Sequence, residues 1–167
     1  MTLPVLERPN TNNYFLFYGL GEVFDIDKAV LKNCYLDKSK LYHPDFYGDD
    51  PQAQNIAVAS SSFNNIAYKT LSNDIRRAQY LVELKLSHSE EAIKLPQEFL
   101  MDMMELNEII DETDAESNTF IGAQIEKLKT EVLVTIKSNA TQALWLETQI
   151  AVLKWKYIER LETRMQL

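Results

Sequence analysis

The chain has 167 residues, 46% of them hydrophobic and 25% charged, with a formal net charge of −8, a balance that fits one or two folded domains and excludes a disordered or fibrous chain. The acidic excess excludes nucleic acid or anionic lipid as the main partner, because each requires a concentrated basic footprint. The single cysteine, Cys34, excludes an internal disulfide and a thiolate zinc site, and suits a reducing compartment.

Glycine and proline are sparse, and long stretches pass with neither, which favours helices over short, turn-separated strands. The first eleven residues, MTLPVLERPNT, lack a secretory apolar core and a basic transit-peptide character, and no run approaches a membrane span. The expectation is a soluble, cytoplasmic, mainly α protein.

In chain order, YFLFYGL at 14–20 reads as a short apolar turn ending in Gly19 and Gly21. A helix then begins near Asp27, a suitable N-cap. At about 100° per residue, Val30, Leu31, Cys34, Tyr35, Leu41 and Tyr42 share one arc. Lys28, Lys32 and Lys40 lie on the other side, giving an amphipathic helix with a basic outer face. Lys38 falls inside the apolar arc, so either its ammonium reaches water along its stem or the arc is rotated from this placement. Pro44 disfavours helical geometry at His43 and ends the helix, leaving HPDFYGDD as a polar, turn-prone loop.

Asp50 and Pro51 supply an N-cap and a first-turn proline for the next helix. There Ile56, Ala59, Phe63, Ile66 or Ala67, and Thr70 or Leu71 recur at helical spacing. Ser72, Asn73 and Asp74 interrupt the pattern and cap a shorter helix running through Leu84. The stretch LSHSEEAIKLP at 86–96 has no clear periodicity, which places the domain boundary there. Three further helical patterns follow: Phe99, Met103, Leu106, Ile110; then Ile121, Ile125, Leu128, Val132, Ile136; then Ile150, Leu153, Tyr157, Leu161. Three amphipathic helices with short connections predict a small bundle.

Two places carry chemistry. His43 and Asp45 have the side chains of a general base and its orienting carboxylate, but the chain lacks a nucleophile context, a phosphate cradle or a second histidine nearby, His88 lying in the expected linker. A complete catalytic constellation is therefore missing. On the helix after Pro96, the stripe Phe99, Met103, Leu106 and Ile110 suffices for a core, yet Leu100, Met101 and Met104 project from other sides among Glu105 and Glu108. Flexible methionines suit an adaptable contact surface, and burying one such side chain is worth about 1.5–3 kcal/mol; the alternative is a helix buried between two neighbours. The surrounding run from Gln97 to Glu116 carries acidic charge and no Lys or Arg, some of it expected to face Lys154, Lys156, Arg160 and Arg164 on the last helix.

The tripeptide HPD, set between a helix with a basic outer face and a second helix of matching length, preceded by an aromatic turn and followed by NNIAYKTL at 64–71, resembles a J-domain over roughly residues 12–80. RRAQYLVEL at 76–84, the linker ending near Pro96 and FLMDMMELNEIIDE at 99–112 are similar to the HscB type of J-protein. The resemblance implies an all-α fold: a J-domain at 12–85, built as an antiparallel helical hairpin with short flanking helices, a linker at 86–95, and a three-helix bundle at 96–167 that binds a client. It implies a co-chaperone, not an enzyme, that carries no cofactor and no metal. Its partners would be an HscA- or DnaK-type ATPase chaperone, whose hydrolysis it stimulates, and an IscU-type iron–sulfur scaffold protein. An unrelated client is the alternative.

Carried onto this sequence, the chaperone-binding residues are His43, Pro44 and Asp45, supported by Lys28, Lys32 and Lys40. The scaffold-binding residues are Leu100, Met101, Met104, Glu105 and Glu108, with Tyr157 on the last helix. Leu36 and Asp37 occupy positions that are often basic in general-purpose J-domains. The zinc-binding cysteines that precede the J-domain in some eukaryotic relatives are absent, so a bacterial-type member fits better.

Overall fold

The computed structural model describes residues 6, 8–86, 93–112 and 118–165. Its elements are α1 (Tyr14–Tyr18), α2 (Lys28–Leu41), a 3-10 turn (Pro44–Tyr47), α3 (Pro51–Ser72), α4 (Asp74–Leu86), α5 (Gln97–Glu112), α6 (Asn118–Thr141) and α7 (Trp145–Met165). The expected all-α architecture is present, with no strand among the described residues. Two compact units divide the chain, 1–77 and 78–167, so α4 begins in the first and continues in the second. Of the linker expected at 86–95, Leu86 closes α4, residues 93–95 lie outside any helix, and 87–92 fall outside the described residues.

In the first unit, the stretch expected as a mere turn at 14–20 is a helix. The Asn13 side chain accepts from the Phe15 and Leu16 amides, and Gly19 closes the other end at a left-handed φ of 67°, so both ends of a single turn are satisfied. The caps expected for the two long helices are present: the Asp27 carboxylate accepts from Ala29 and Val30, and Asp50 from Gln52 and Ala53, with Pro51 in the first turn. α4 continues to Leu86, past the end expected at Leu84.

Helices α2 and α3 run antiparallel, Tyr35 and Ser39 meeting Asn64, Asn65 and Tyr68. The buried face of α2 is rotated from the expected one, and that of α3 keeps Ala67 and Leu71 of the expected stripe but not Ala59. On α2, Val30 and Leu41 are exposed while Leu31 and Tyr42 are buried, and Lys38 holds its ammonium 4.2 Å from the centre of the Phe17 ring. The aromatic plate of α1 accommodates a cation on that side, so the arc is rotated toward Lys38. On α3 the buried stripe is Ala57, Ser60, Asn64, Ala67 and Leu71; Ala59 and Ile66 face solvent. Small and polar side chains bring the backbones close and bond across them, whereas the bulkier Phe63 sits half-buried at the edge, its ring edge-on to Tyr14 and Phe17.

Arg77 closes this unit from the start of α4. Nearly fully buried, it donates to the carbonyls of Phe24 at 2.7 Å and Leu71 at 2.6 Å and to Asp74 at 2.9 Å. One guanidinium thereby ties three segments together, a use of its rigid fork of donors that lysine cannot reproduce.

In the second unit, α6 and α7 form the main contact and α5 packs on α7. Met103 and Leu106 of α5, Ile121 and Ile125 of α6, and Ile158 and Leu161 of α7 make the core, with Phe99, Ile110, Leu128, Val132 and Tyr157 packed around it. The stripes expected for α5 and α6 hold. On α7 the buried positions are Thr148, Ala151, Val152, Ile158 and Leu161, with Ile150, Leu153 and Tyr157 at the flanks. Thr148 was invisible as a core position because it is polar; inside the helix its hydroxyl donates to the Leu144 carbonyl at 2.7 Å.

Candidate functional site

The HPD loop is built by the helix stops on either side of it. Tyr42 donates its amide to the Lys38 carbonyl as the last helical bond. His43 then adopts extended geometry, φ −70° and ψ 119°, as a residue before proline must. Pro44 opens the 3-10 turn, fastened by the Phe46 amide donating to the His43 carbonyl at 3.1 Å. Beneath it, the buried Tyr47 donates its hydroxyl to the Leu41 carbonyl at 2.9 Å. The segment expected as a polar, turn-prone loop is thus a fixed turn that presents His43, Asp45 and Phe46 outward.

The side chains of His43 and Asp45 are 52% and 85% exposed, and the His43 Nδ1 lies 3.7 Å from the nearer Asp45 carboxylate oxygen. That separation is too long for a hydrogen bond. Exposed side chains on a rigid turn can be read by another surface; they do not form an enclosed place for a reaction.

The three lysines expected to support the turn differ. Lys32 and Lys40 are exposed on α2. Lys28 instead sits on Asp74 at 2.9 Å, linking the first turns of α2 and α4. At about 1.5 Å of rise per residue, Lys28 stands roughly 18 Å along the helix from Lys40, at the end remote from His43. Leu36 occupies the same row at a spacing of four, and it too is exposed.

On α5, Met101 and Met104 are 63% and 61% exposed, with Glu105 and Glu108 exposed beside them. These four positions lie opposite the core stripe, so the helix is not buried between two neighbours, and the surplus apolar groups form a face flanked by carboxylates. Leu100 is half-buried on the flank that carries Asn107 and Asp111, both partners of Arg164. Tyr157 packs against the core, edge-on to Phe99 at 6.1 Å between ring centres, and is only partly accessible. The expected charge matching with α7 is present at Asp111 and Arg164, 2.7 Å apart; Lys154 instead lies over the Phe99 ring.

Beside these two surfaces, Phe46 and Ile109 are exposed apolar residues that the sequence reading does not single out. Phe46 projects from the HPD turn, 57% exposed, with its ring centre 5.5 Å from that of His43. Ile109 is exposed on the flank of α5 that borders α6. The available signal was an aromatic or β-branched residue placed where neither a core stripe nor a cap requires it.

Residues 95–166 match a family model described as the HSCB C-terminal oligomerisation domain. The chain is 30% identical over 164 residues to a protein of Vibrio vulnificus (strain CMCP6) named co-chaperone protein HscB homolog, across 93% of this chain and 95% of that one. A protein of the same name from Aliivibrio salmonicida is 28% identical over 163 residues, across 92% and 95% of the two chains. Among solved structures, chaperone HscB from Vibrio cholerae aligns with a TM-score of 0.75 at 25% identity, over 92% of this chain and 95% of that one. Human co-chaperone protein HscB aligns with a TM-score of 0.82, also at 25% identity, over 96% and 83%.

Proposed function

The chain belongs to the HscB family of co-chaperones, and from that premise we propose that it delivers an IscU-type iron–sulfur scaffold protein to an HscA- or DnaK-type chaperone and stimulates that partner's ATPase. The observation that carries the reading is that one chain holds two outward-facing surfaces of different chemistry, the HPD turn and the methionine–carboxylate face of α5.

The first surface belongs to the J-domain at 12–85. His43, Pro44 and Asp45 engage the ATP-bound chaperone, with Lys32 and Lys40 orienting the encounter by charge; Lys28, paired with Asp74, contributes least. The second belongs to the bundle at 96–167, where Met101 and Met104 bury against the scaffold and Glu105 and Glu108 select a basic rim. Leu100 and Tyr157 contribute their accessible edges. Hydrolysis occurs on the chaperone. Holding client and chaperone on one chain raises their effective concentration without new contacts between them. No described helix is long and apolar enough to cross a membrane, in keeping with action on soluble partners.

Mixing the protein, an IscU-type scaffold and an ATP-loaded HscA- or DnaK-type chaperone tests this reading. Protein and scaffold together should accelerate hydrolysis more than the sum of their separate effects. Acceleration by the protein that is indifferent to the scaffold would point to a different client, and no acceleration would overturn the proposal.

A further inference from the structure

We propose that Phe46 is a direct contact of the chaperone-docking surface, and that this surface binds through an aromatic anchor as well as through charge. The inference rests on the function proposed above for the HPD turn.

The turn itself has little charge to offer an acidic partner. Between His43 and Asp50 it carries Asp45, Asp49 and Asp50, and no lysine or arginine. The Asp50 carboxylate is engaged in capping α3, while Asp45 projects into solvent. The cations lie back on α2, and at the turn itself Asp45 projects to meet a single cation of the partner. The rest of the attraction there comes from apolar contact.

Phe46 is placed to supply it. Its neighbour Tyr47 turns inward and is buried, fastened to the Leu41 carbonyl. Phe46, on the opposite side of the same 3-10 turn, has no role in that core and is 57% exposed. Its ring lies tilted at 52° against His43, and its amide is fixed to the His43 carbonyl. A surface that closes on the His43 imidazole must also cover the adjoining Phe46 ring. Aromatic side chains buried at the centre of an interface, ringed by polar groups, are a recurrent source of binding energy. Leu36, exposed in the row between Lys32 and Lys40, extends the same mixture of apolar and basic groups along α2.

The partner that fits is an ATP-bound chaperone presenting an apolar depression within an acidic surround. Single-turnover hydrolysis by an HscA- or DnaK-type chaperone, followed as the full-length protein is titrated, tests the assignment. Phe46→Ala should raise the half-saturating concentration about tenfold, while Phe46→Leu, which keeps much of the apolar area, should stay within about threefold of wild type. Both should melt as wild type does, since the ring is exposed. If Phe46→Ala titrates like wild type while His43→Gln abolishes stimulation, the anchor is wrong and the docking turn stands. If the wild-type protein gives no stimulation at all, the functional reading fails and the anchor falls with it.

Discussion

Tyr18 donates its phenolic hydrogen to the Asn64 side-chain oxygen at 2.7 Å, deep between α1 and α3. The Asn64 amide in turn donates to the Ser39 hydroxyl at 3.0 Å and the Tyr35 carbonyl at 3.2 Å on α2. One asparagine thus joins the three helices that hold the HPD turn. Asn64→Ala should destabilise the first unit by about 2–3 kcal/mol, because it removes two donated hydrogen bonds and the side-chain oxygen that accepts from the buried Tyr18 hydroxyl. Urea denaturation followed by tyrosine fluorescence checks this; a loss below about 0.5 kcal/mol would show the network to be incidental.

The same relationship predicts an alkaline limit. Burial pushes the Tyr18 phenol far above its ordinary value near 10, and raises Tyr42 as well. The folded state therefore holds these protons more tightly than the unfolded chain, so the stabilisation is complete below pH 10 and declines as pH rises through the folded values. The urea midpoint should be flat from about pH 8 to 9.5, then fall by roughly 1 kcal/mol equivalent at pH 11. Tyr18→Phe should flatten that decline. An unchanged slope in the variant would contradict the assignment.

These networks also explain what the sequence could and could not show. Caps are local, so Asp27, Asp50 and Pro51 were readable from neighbours one to three positions away. The stripe of α3 was legible at Ala67 and Leu71 but not at Ser60 and Asn64, because a hydrophobic count passes over a buried asparagine. Lys38 marked the rotation of α2 in advance, yet its position over Phe17 depends on a contact between distant segments. The HPD turn was legible through the resemblance of its helical frame to a J-domain, and the Met101–Met104 face because it departs from what packing requires. Phe46 broke the same rule and was overlooked within a loop that reads as polar.

Ala143, in the connection between α6 and α7, adopts a left-handed φ of 58°. The neighbouring Leu144 amide donates back to the Asn139 carbonyl at 2.9 Å, as a helix end closed by a left-handed residue requires. Ala143→Gly should stabilise the second unit by about 0.5–1 kcal/mol, because glycine adopts this geometry without a Cβ penalty. A lowered melting temperature would contradict that reading of the turn.

Met101→Ala with Met104→Ala removes two side chains that are more than half exposed. Stability should change by less than about 0.5 kcal/mol, whereas affinity for an IscU-type scaffold should fall at least about tenfold. Calorimetric titration separates the two effects. Unchanged affinity would remove the α5 face from the client site.

The most direct measurement of the central claim is single-turnover ATP hydrolysis by an HscA- or DnaK-type chaperone in the presence of the wild-type protein or its His43→Gln variant. His43 is exposed on a turn held by Tyr47 and by backbone bonds, so the substitution should leave the melting curve unchanged. The account predicts acceleration by the wild type and its loss in the variant; equal acceleration by both would contradict it.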